Sequence, residues 1–253
     1  MLSKKIVLAV VSHGQEALVR TLLTSLNSLG SDSYFEVVLI DNLHPGIQFS
    51  LDSFSFPISY IKNRSPLGFA ENVNRAFQLQ GKDADFFCIV NPDVEIQQSI
   101  FPTLVQRMEE YSIDISAPVV LDFEGQIQDS FRSFPTPWIL LKRRLFPTRD
   151  TINTKELPEI IYPDWIAGLF MLIKTPVFQN TGGFNEGYKL YFEDVDFCLR
   201  AKLLGYKIAV FKEVSILHDA QRKSRKNIRY LLYHVASAIR FFFSDTFREY
   251  KSL

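Results

Sequence analysis

Ile6-Val-Leu-Ala-Val-Val11 is a continuous apolar run, rich in β-branched residues and broken at once by Ser12-His13-Gly14. A run that short, without polar alternation, predicts a strand buried on both faces, the habit of parallel sheets covered by helices. The sequence after it keeps the same rhythm. Leu18, Leu22, Leu23, Leu26 and Leu29 recur at helical spacing, and Gly30 stands where that helix would be capped. Residues 35–40 predict a second strand, ending on Asp41-Asn42, and residues 58–61 a third. A helix over 68–79 stops at Gly81, and residues 85–90 predict a fourth strand closing on Asn91-Pro92-Asp93. This alternation predicts an α/β fold with a mostly parallel, Rossmann-like central sheet flanked by helices. Ligands in such sheets sit beyond the carboxyl ends of the strands, where Asp41 and Asp93 stand.

The second half is less regular. A helix is expected over 100–111, a strand over 113–120, and a strand over 165–173 interrupted at Gly168. Residues 134–163 hold five prolines and the basic knot Lys142-Arg143-Arg144, and read as a long, partly mobile loop of the kind that is functional or disordered in a compact domain. A helix over 191–204 ends at Gly205, a strand covers 207–211, and a terminal helix covers 227–243. The chain divides into a domain over 1–220 and a basic amphipathic helical extension over 221–253.

Composition narrows the class. Of 253 residues 47% are hydrophobic and 22% charged, a globular profile that needs no staples at this length. Cys88 and Cys198, both in apolar segments, read as reduced core residues of a cytoplasmic protein. A net charge of zero and the lack of aromatic–basic interleaving argue against nucleic acid. No apolar run approaches the ~20 residues of a transmembrane helix, and the start lacks a signal-peptide pattern.

Three constellations carry chemistry. Asn91-Pro92-Asp93 ends a buried strand, and a carboxylate there can hold Mg²⁺ or Mn²⁺ together with substrate phosphates, although the tripeptide is also good turn chemistry. Gly182-Gly183-Phe184-Asn185-Glu186 precedes Tyr191-Phe-Glu-Asp-Val-Asp196, in which Asp194 and Asp196 are two apart and point to opposite sides. Acids there also favour a helix N-terminus. Asp196 can pair with Arg200 four residues on. His218 lies between an apolar strand end and the run Arg222, Lys223, Arg225, Lys226, Arg229.

Together these segments resemble the inverting family-2 glycosyltransferases, which share a nucleotide-sugar-binding fold of the A type. The likeness runs from Leu8-Ala-Val-Val-Ser-His13 through Asn63-Arg-Ser-Pro-Leu-Gly-Phe-Ala-Glu-Asn-Val-Asn74, Trp165-Ile-Ala-Gly168, Gly183-Phe-Asn-Glu186 and Tyr191 to Asp196, as far as His218. Within the family it is most similar to rhamnosyltransferases of bacterial O-antigen, capsule and lipopolysaccharide synthesis. The resemblance implies that Asp41 contacts the nucleobase beside the Val11-Ser12 backbone, and that Asn74, Asn91 and Trp165 belong to the donor-binding set. It implies that Asp93 and His218 hold Mg²⁺ or Mn²⁺ and that Asp194 is the catalytic base. Asn91 replaces the first acid of the family's Asp-X-Asp pattern, and Asn185 stands where the family more often has Asp. The implied partners are dTDP-rhamnose or a UDP-sugar, and a glycan or undecaprenyl-diphosphate-linked acceptor. Trp165, Phe170 and Phe192 are expected to wall the methyl group of a 6-deoxy sugar.

The basic tail has two readings: an amphipathic helix on the anionic inner face of the cytoplasmic membrane, or a docked helix with a solvated basic face. Three other functions compete. A nucleotidyltransferase would show a Gly-rich basic signature after the first strand, which Ser12-His13-Gly14-Gln15 lacks. An inactive sugar-nucleotide sensor would have lost Asp93, Asp194 or His218, and all three are present. A nucleic-acid-binding role would rest on the basic run alone.

Overall fold

The computed structural model describes residues 4–29, 35–43, 46–145, 157–218 and 228–252, and the side chains at 143–145 and 229 lie outside that description. The expected cap at Gly30, the side chains of Arg143, Arg144 and Arg229, and the residues Arg222, Lys223, Arg225, Lys226 and Asn227 fall outside it as well.

The first apolar run is β1 (Ile6–Ser12), buried along its whole length. Helix α1 (Glu16–Ser28) lays Val19, Leu22, Leu23 and Leu26 against the sheet. Strands β2 (Phe35–Asp41) and β3 (Ile58–Lys62), helix α2 (Phe69–Leu79) and the fully buried β4 (Phe86–Val90) follow. The short β5 (Val94–Glu95), α3 (Phe101–Glu110) and β6 (Ile115–Leu121) lead to β7 (Phe131–Arg132) and α4 (Pro137–Leu145). Then come β8 (Ile160–Ile161), β9 (Trp165–Ile166), β10 (Phe170–Lys174), α5 (Thr175–Asn180), α6 (Glu193–Leu203), β11 (Ile208–His218), α7 (Ile228–Phe242) and α8 (Asp245–Ser252).

The nine-stranded sheet runs β3-β2-β1-β4-β10-β6-β11-β5, with β8 on β11. Strands β3, β2, β1 and β4 are mutually parallel, as are β6 and β11. Strand β10 lies antiparallel between β4 and β6. The ends of β2, β4 and β11 and the start of β10 therefore share one edge of the sheet.

Three expectations change. The 134–163 segment is not all loop: Pro137 opens α4, and Thr136 Oγ1 accepts a hydrogen bond from Ile139 N at 3.2 Å. Proline fits the first turn of a helix, where its missing N–H is no loss. Residues 165–173 are two strands in different sheets, since β9 pairs with β7 in a two-stranded sheet while β10 joins the main one. The strand expected over 207–211 runs on to His218 through a register shift between Phe211 and Ser215, an irregularity that absorbs Lys212, Glu213 and Val214.

Candidate active site

The approach to Asp194 is built from unusual backbone. Tyr191 and Phe192, the two residues before α6, both have φ of 70°, a left-handed conformation that costs ordinary side chains on the order of 1–3 kcal/mol each. Packing offsets this. The Phe192 ring lies against His234, Phe241 and Phe242 of α7, and Ser237 Oγ donates to Leu190 O at 2.8 Å. Upstream, Gly183 has φ of 70° and sits where a Cβ would come 2.6 Å from Asn74 Oδ1, so only glycine fits the turn.

These constraints aim Asp194 at the sheet edge. Its Oδ2 accepts from Gly168 N at 3.0 Å and its Oδ1 from Val195 N at 2.8 Å. Burial pushes this carboxyl up from its ordinary range, while the N–H groups of Gly168 and Val195 and the charge of Arg132 pull the other way. A raised value suits a general base, because proton affinity then lies closer to working pH. Neighbouring Glu193 is pushed well up by burial and then by the Asp194 charge, and its Oε2 is buried without a partner. Asp196 turns the other way, as its spacing predicts. It accepts from Arg200 Nε at 2.8 Å and from Tyr188 OH at 3.2 Å, while Arg200 also donates to Gly183 O. Asp196 anchors the turn, and Asp194 faces the site.

One short path joins Asp194 to the metal candidates. Next to Gly168, Leu169 O accepts from Asn91 N at 2.8 Å, and Asp93 follows two residues on. Asp93 Oδ2 lies 3.4 Å from His218 Nε2, while its Oδ1 is buried with no hydrogen-bond partner among the described residues. The His218 ring is fixed from behind by Gln128, a residue the sequence did not single out. Gln128 Nε2 donates to His218 O at 2.6 Å, so its Oε1, 2.8 Å from His218 Nδ1, must be the acceptor there. Nδ1 then carries a proton, and Nε2 is the ring nitrogen that faces Asp93. A buried carboxylate oxygen beside an imidazole nitrogen is a donor set that fits Mg²⁺ or Mn²⁺. Among the described residues no group of three or more His, Cys, Asp or Glu could hold a metal. The pair would therefore leave further positions to phosphate oxygens and water.

At the other end, Asp41 is 1% exposed and accepts from Ile47 N at 2.7 Å and Tyr60 OH at 2.9 Å through Oδ2, while Oδ1 is buried with no partner among the described residues. Ser12 and Val11 are buried beside it, with Ser12 O accepting from Asn42 N at 2.8 Å. A buried amide network that the sequence did not reveal supports this corner. Asn63 donates to Asn42 and Asn72, and Arg75 donates to Asn63. A cavity of about 360 Å³, lined by Lys62, Asn63, Arg64, Ser65, Leu67 and Arg75, opens next to it, within the size range of small-ligand pockets.

Two donor-side expectations fare differently. The Asn74 amide is engaged elsewhere: it donates to Phe184 O and Glu186 and accepts from Phe184 N, stitching α2 to the Gly183 turn. That geometry makes it a positioning residue for the approach to Asp194. Of the aromatics expected to wall a sugar methyl, Phe170 is buried against Phe101 and Phe192 is buried under α7, because both complete the core. Trp165 alone stays half-buried, its indole N–H donating to Ser133 O at 3.1 Å.

The sequence profile of glycosyl transferase family 2 matches residues 7–175. The chain belongs to that family. This family-2 glycosyltransferase is 28% identical over 251 residues to the rhamnosyltransferase WbbL of Escherichia coli strain K12, covering 94% of this chain and 90% of that one. It is 25% identical over 173 residues to an N-acetylglucosaminyl-diphospho-decaprenol L-rhamnosyltransferase of Mycobacterium tuberculosis, covering 60% and 55%. Among solved structures it has the fold of GalNAc-T7 with UDP, GalNAc and Mn²⁺, at a TM-score of 0.63 and 16% identity, spanning 85% of this chain and 43% of that one. A mannosyltransferase of Pyrobaculum calidifontis with GDP-Man and Mn²⁺ gives a TM-score of 0.59 at 14% identity, spanning 94% and 64%.

Proposed function

We propose that this glycosyltransferase inverts the sugar it moves, taking L-rhamnose from dTDP-rhamnose to a hydroxyl of a glycan or undecaprenyl-diphosphate-linked saccharide in bacterial surface polysaccharide synthesis. The reading includes work at the cytoplasmic face of the membrane. It rests on one observation above the others: Asp194, held by Gly168 and Val195, stands on the same sheet edge as the Asp93–His218 pair and connects to it through Leu169 and Asn91. The rhamnose assignment draws on the breadth of the likeness to the Escherichia coli rhamnosyltransferase.

In the proposed reaction Asp194 accepts the proton of the acceptor hydroxyl as its oxygen bonds to the anomeric carbon and the nucleoside diphosphate departs with the electrons of the broken C–O bond. A sugar hydroxyl is too weakly acidic to react unaided at neutral pH, so the carboxylate has a defined task. Asp93 and His218 would hold the divalent cation, which supplies positive charge to the leaving diphosphate. Asp41 Oδ1, buried with no partner among the described residues, would accept an N–H of the base. No enzyme nucleophile takes part, which is why a single displacement with inversion results.

The test is a donor screen with Mn²⁺ and one lipid-linked acceptor. dTDP-rhamnose should give the highest kcat/KM, and a higher value for UDP-glucose, UDP-galactose or UDP-N-acetylglucosamine would overturn the donor assignment. Discrimination should stay near 10²-fold, about what a pocket without a hydrogen bond to the distinguishing hydroxyl can provide.

A further inference from the structure

Helix α7 is apolar on two sides. Its inner side carries Ser237, Ala238 and Phe241 into the domain. Its outer side presents Ile228, Leu232, Val235 and Ile239, with Phe243 just past its end, each 46–70% exposed and spaced at four, seven, eleven and fifteen residues from the first. That spacing is one continuous helical stripe. The helix contains no Asp or Glu, and the guanidinium of Arg240, its one charged side chain that is described, turns away from this stripe to lie over the Tyr188 ring. The residues that would make the basic solvated face of the docked-helix reading, Arg222 to Lys226 and the Arg229 side chain, lie outside the described residues, and the described outer face of the helix is apolar.

We propose that this outer face of α7 is a membrane-docking surface that lies in the interface of an anionic bilayer. The inference deepens the functional reading above, on which it rests for its lipid-linked acceptor. Charge selects the occupant. Residues 221–253 hold eight Lys and Arg against two Asp and Glu, while the whole chain holds 28 of each, so the terminal segment is strongly positive and the rest of the chain negative. An anionic lipid surface attracts such a segment and takes up the apolar stripe beside it. A second copy docking through the same stripe would bring two such positive segments together, which like-charge repulsion opposes.

Position gives the surface a purpose. The inner side of the same helix packs His234 and Phe241 on Phe192, two residues before Asp194. A helix is about 10–12 Å across, so the outer stripe lies roughly that distance from the backbone that aims the base. An acceptor whose lipid stays in the bilayer would meet the base across one helix. Binding would also press α7 onto the left-handed Tyr191-Phe192 pair and so stiffen the approach to Asp194.

The full chain is sedimented with phosphatidylcholine vesicles and with vesicles that also contain phosphatidylglycerol, alongside the double variant Leu232→Ser, Ile239→Ser. Both residues are exposed, so the variant should fold. The parent is expected on the anionic vesicles at least ~tenfold more than the variant, since two buried aliphatic side chains are lost. Salt should release it, and both proteins should bind nucleoside diphosphate with Mn²⁺ equally. Equal sedimentation of parent and variant, or no binding of the parent to anionic vesicles, overturns the proposal. A dimer in light scattering that the double substitution dissolves overturns it too. If the parent binds nucleotide but not vesicles, the membrane surface falls and the transferase reading stands; binding to vesicles without nucleotide binding gives the reverse.

Discussion

At Asp194 both carboxylate oxygens receive a backbone N–H, whereas at Asp93, among the described residues, one oxygen is buried without a hydrogen-bond partner and the other faces His218. The two acids stand on the same edge of one sheet, yet among the described residues one carboxylate is fully hydrogen-bonded and the other is not. Completeness suits a base, which must hold its direction before and after it takes a proton. Incompleteness suits a ligand, because a satisfied carboxylate would have to give up hydrogen bonds to bind a cation. The difference in partners, more than position, separates the two roles.

The comparison breaks most visibly at the base. Asp194→Asn keeps the shape and the hydrogen bond from Gly168 but cannot take a proton, so kcat should fall by ~10²–10⁴-fold while donor affinity holds. Stopped assays at saturating donor, with calorimetry of donor binding, check both halves. Because burial raises the Asp194 carboxyl, the base is lost as pH falls through a value above the ordinary ~3.9 of aspartate, and the acid limb of kcat should lie there. At the other acid, Asp93→Ala and His218→Ala should each remove the gain that Mn²⁺ gives to nucleoside-diphosphate binding, with little change in EDTA. Equal metal dependence in parent and variant would take that residue out of the metal site.

A smaller effect should appear one layer back. Gln128→Leu leaves His218 without the acceptor that sets its tautomer, and Mn²⁺ affinity should drop ~10–100-fold, the usual cost of losing an outer partner of a metal-binding histidine. Gln128→Glu, which also accepts from Nδ1–H, should restore it. Electron paramagnetic resonance of free Mn²⁺ in a titration reads this without turnover. Smallest of all should be Glu193→Gln. Burial pushes Glu193 well up, which favours its neutral form, and glutamine copies that neutral shape. Its pH profile should overlay the parent's, and a shifted acid limb would mean that Glu193 ionises next to the base.

The chain let itself be read where one element decides its own burial. Strands β1, β2 and β4 are nearly unbroken apolar runs, and their sheet positions follow from that. Asp41, Asp93 and Asp194 were visible as acids at element ends, and the Asp196–Arg200 pair followed from helical spacing. Helix α4 was hidden by prolines that looked like breakers until Pro137 proved to be its first residue. The split of Trp165 and Phe170 between two sheets was hidden because a two-residue strand has no periodicity to detect. Gln128 was out of reach altogether, since a lone glutamine 90 residues from His218 carries no local signal. Asn74 matched a motif, but its partners at Phe184 and Glu186 lie more than a hundred residues away and redirect its amide.

The account stands most directly on the reaction itself. The protein is incubated with dTDP-rhamnose, Mn²⁺ and a lipid-linked saccharide acceptor, and the new linkage is examined by proton NMR. The expected product is a rhamnoside with anomeric configuration opposite to that of the donor, absent with Asp194→Asn and absent in EDTA. A product that retains the donor's configuration, or one formed equally well by Asp194→Asn, would contradict the single displacement driven by that base.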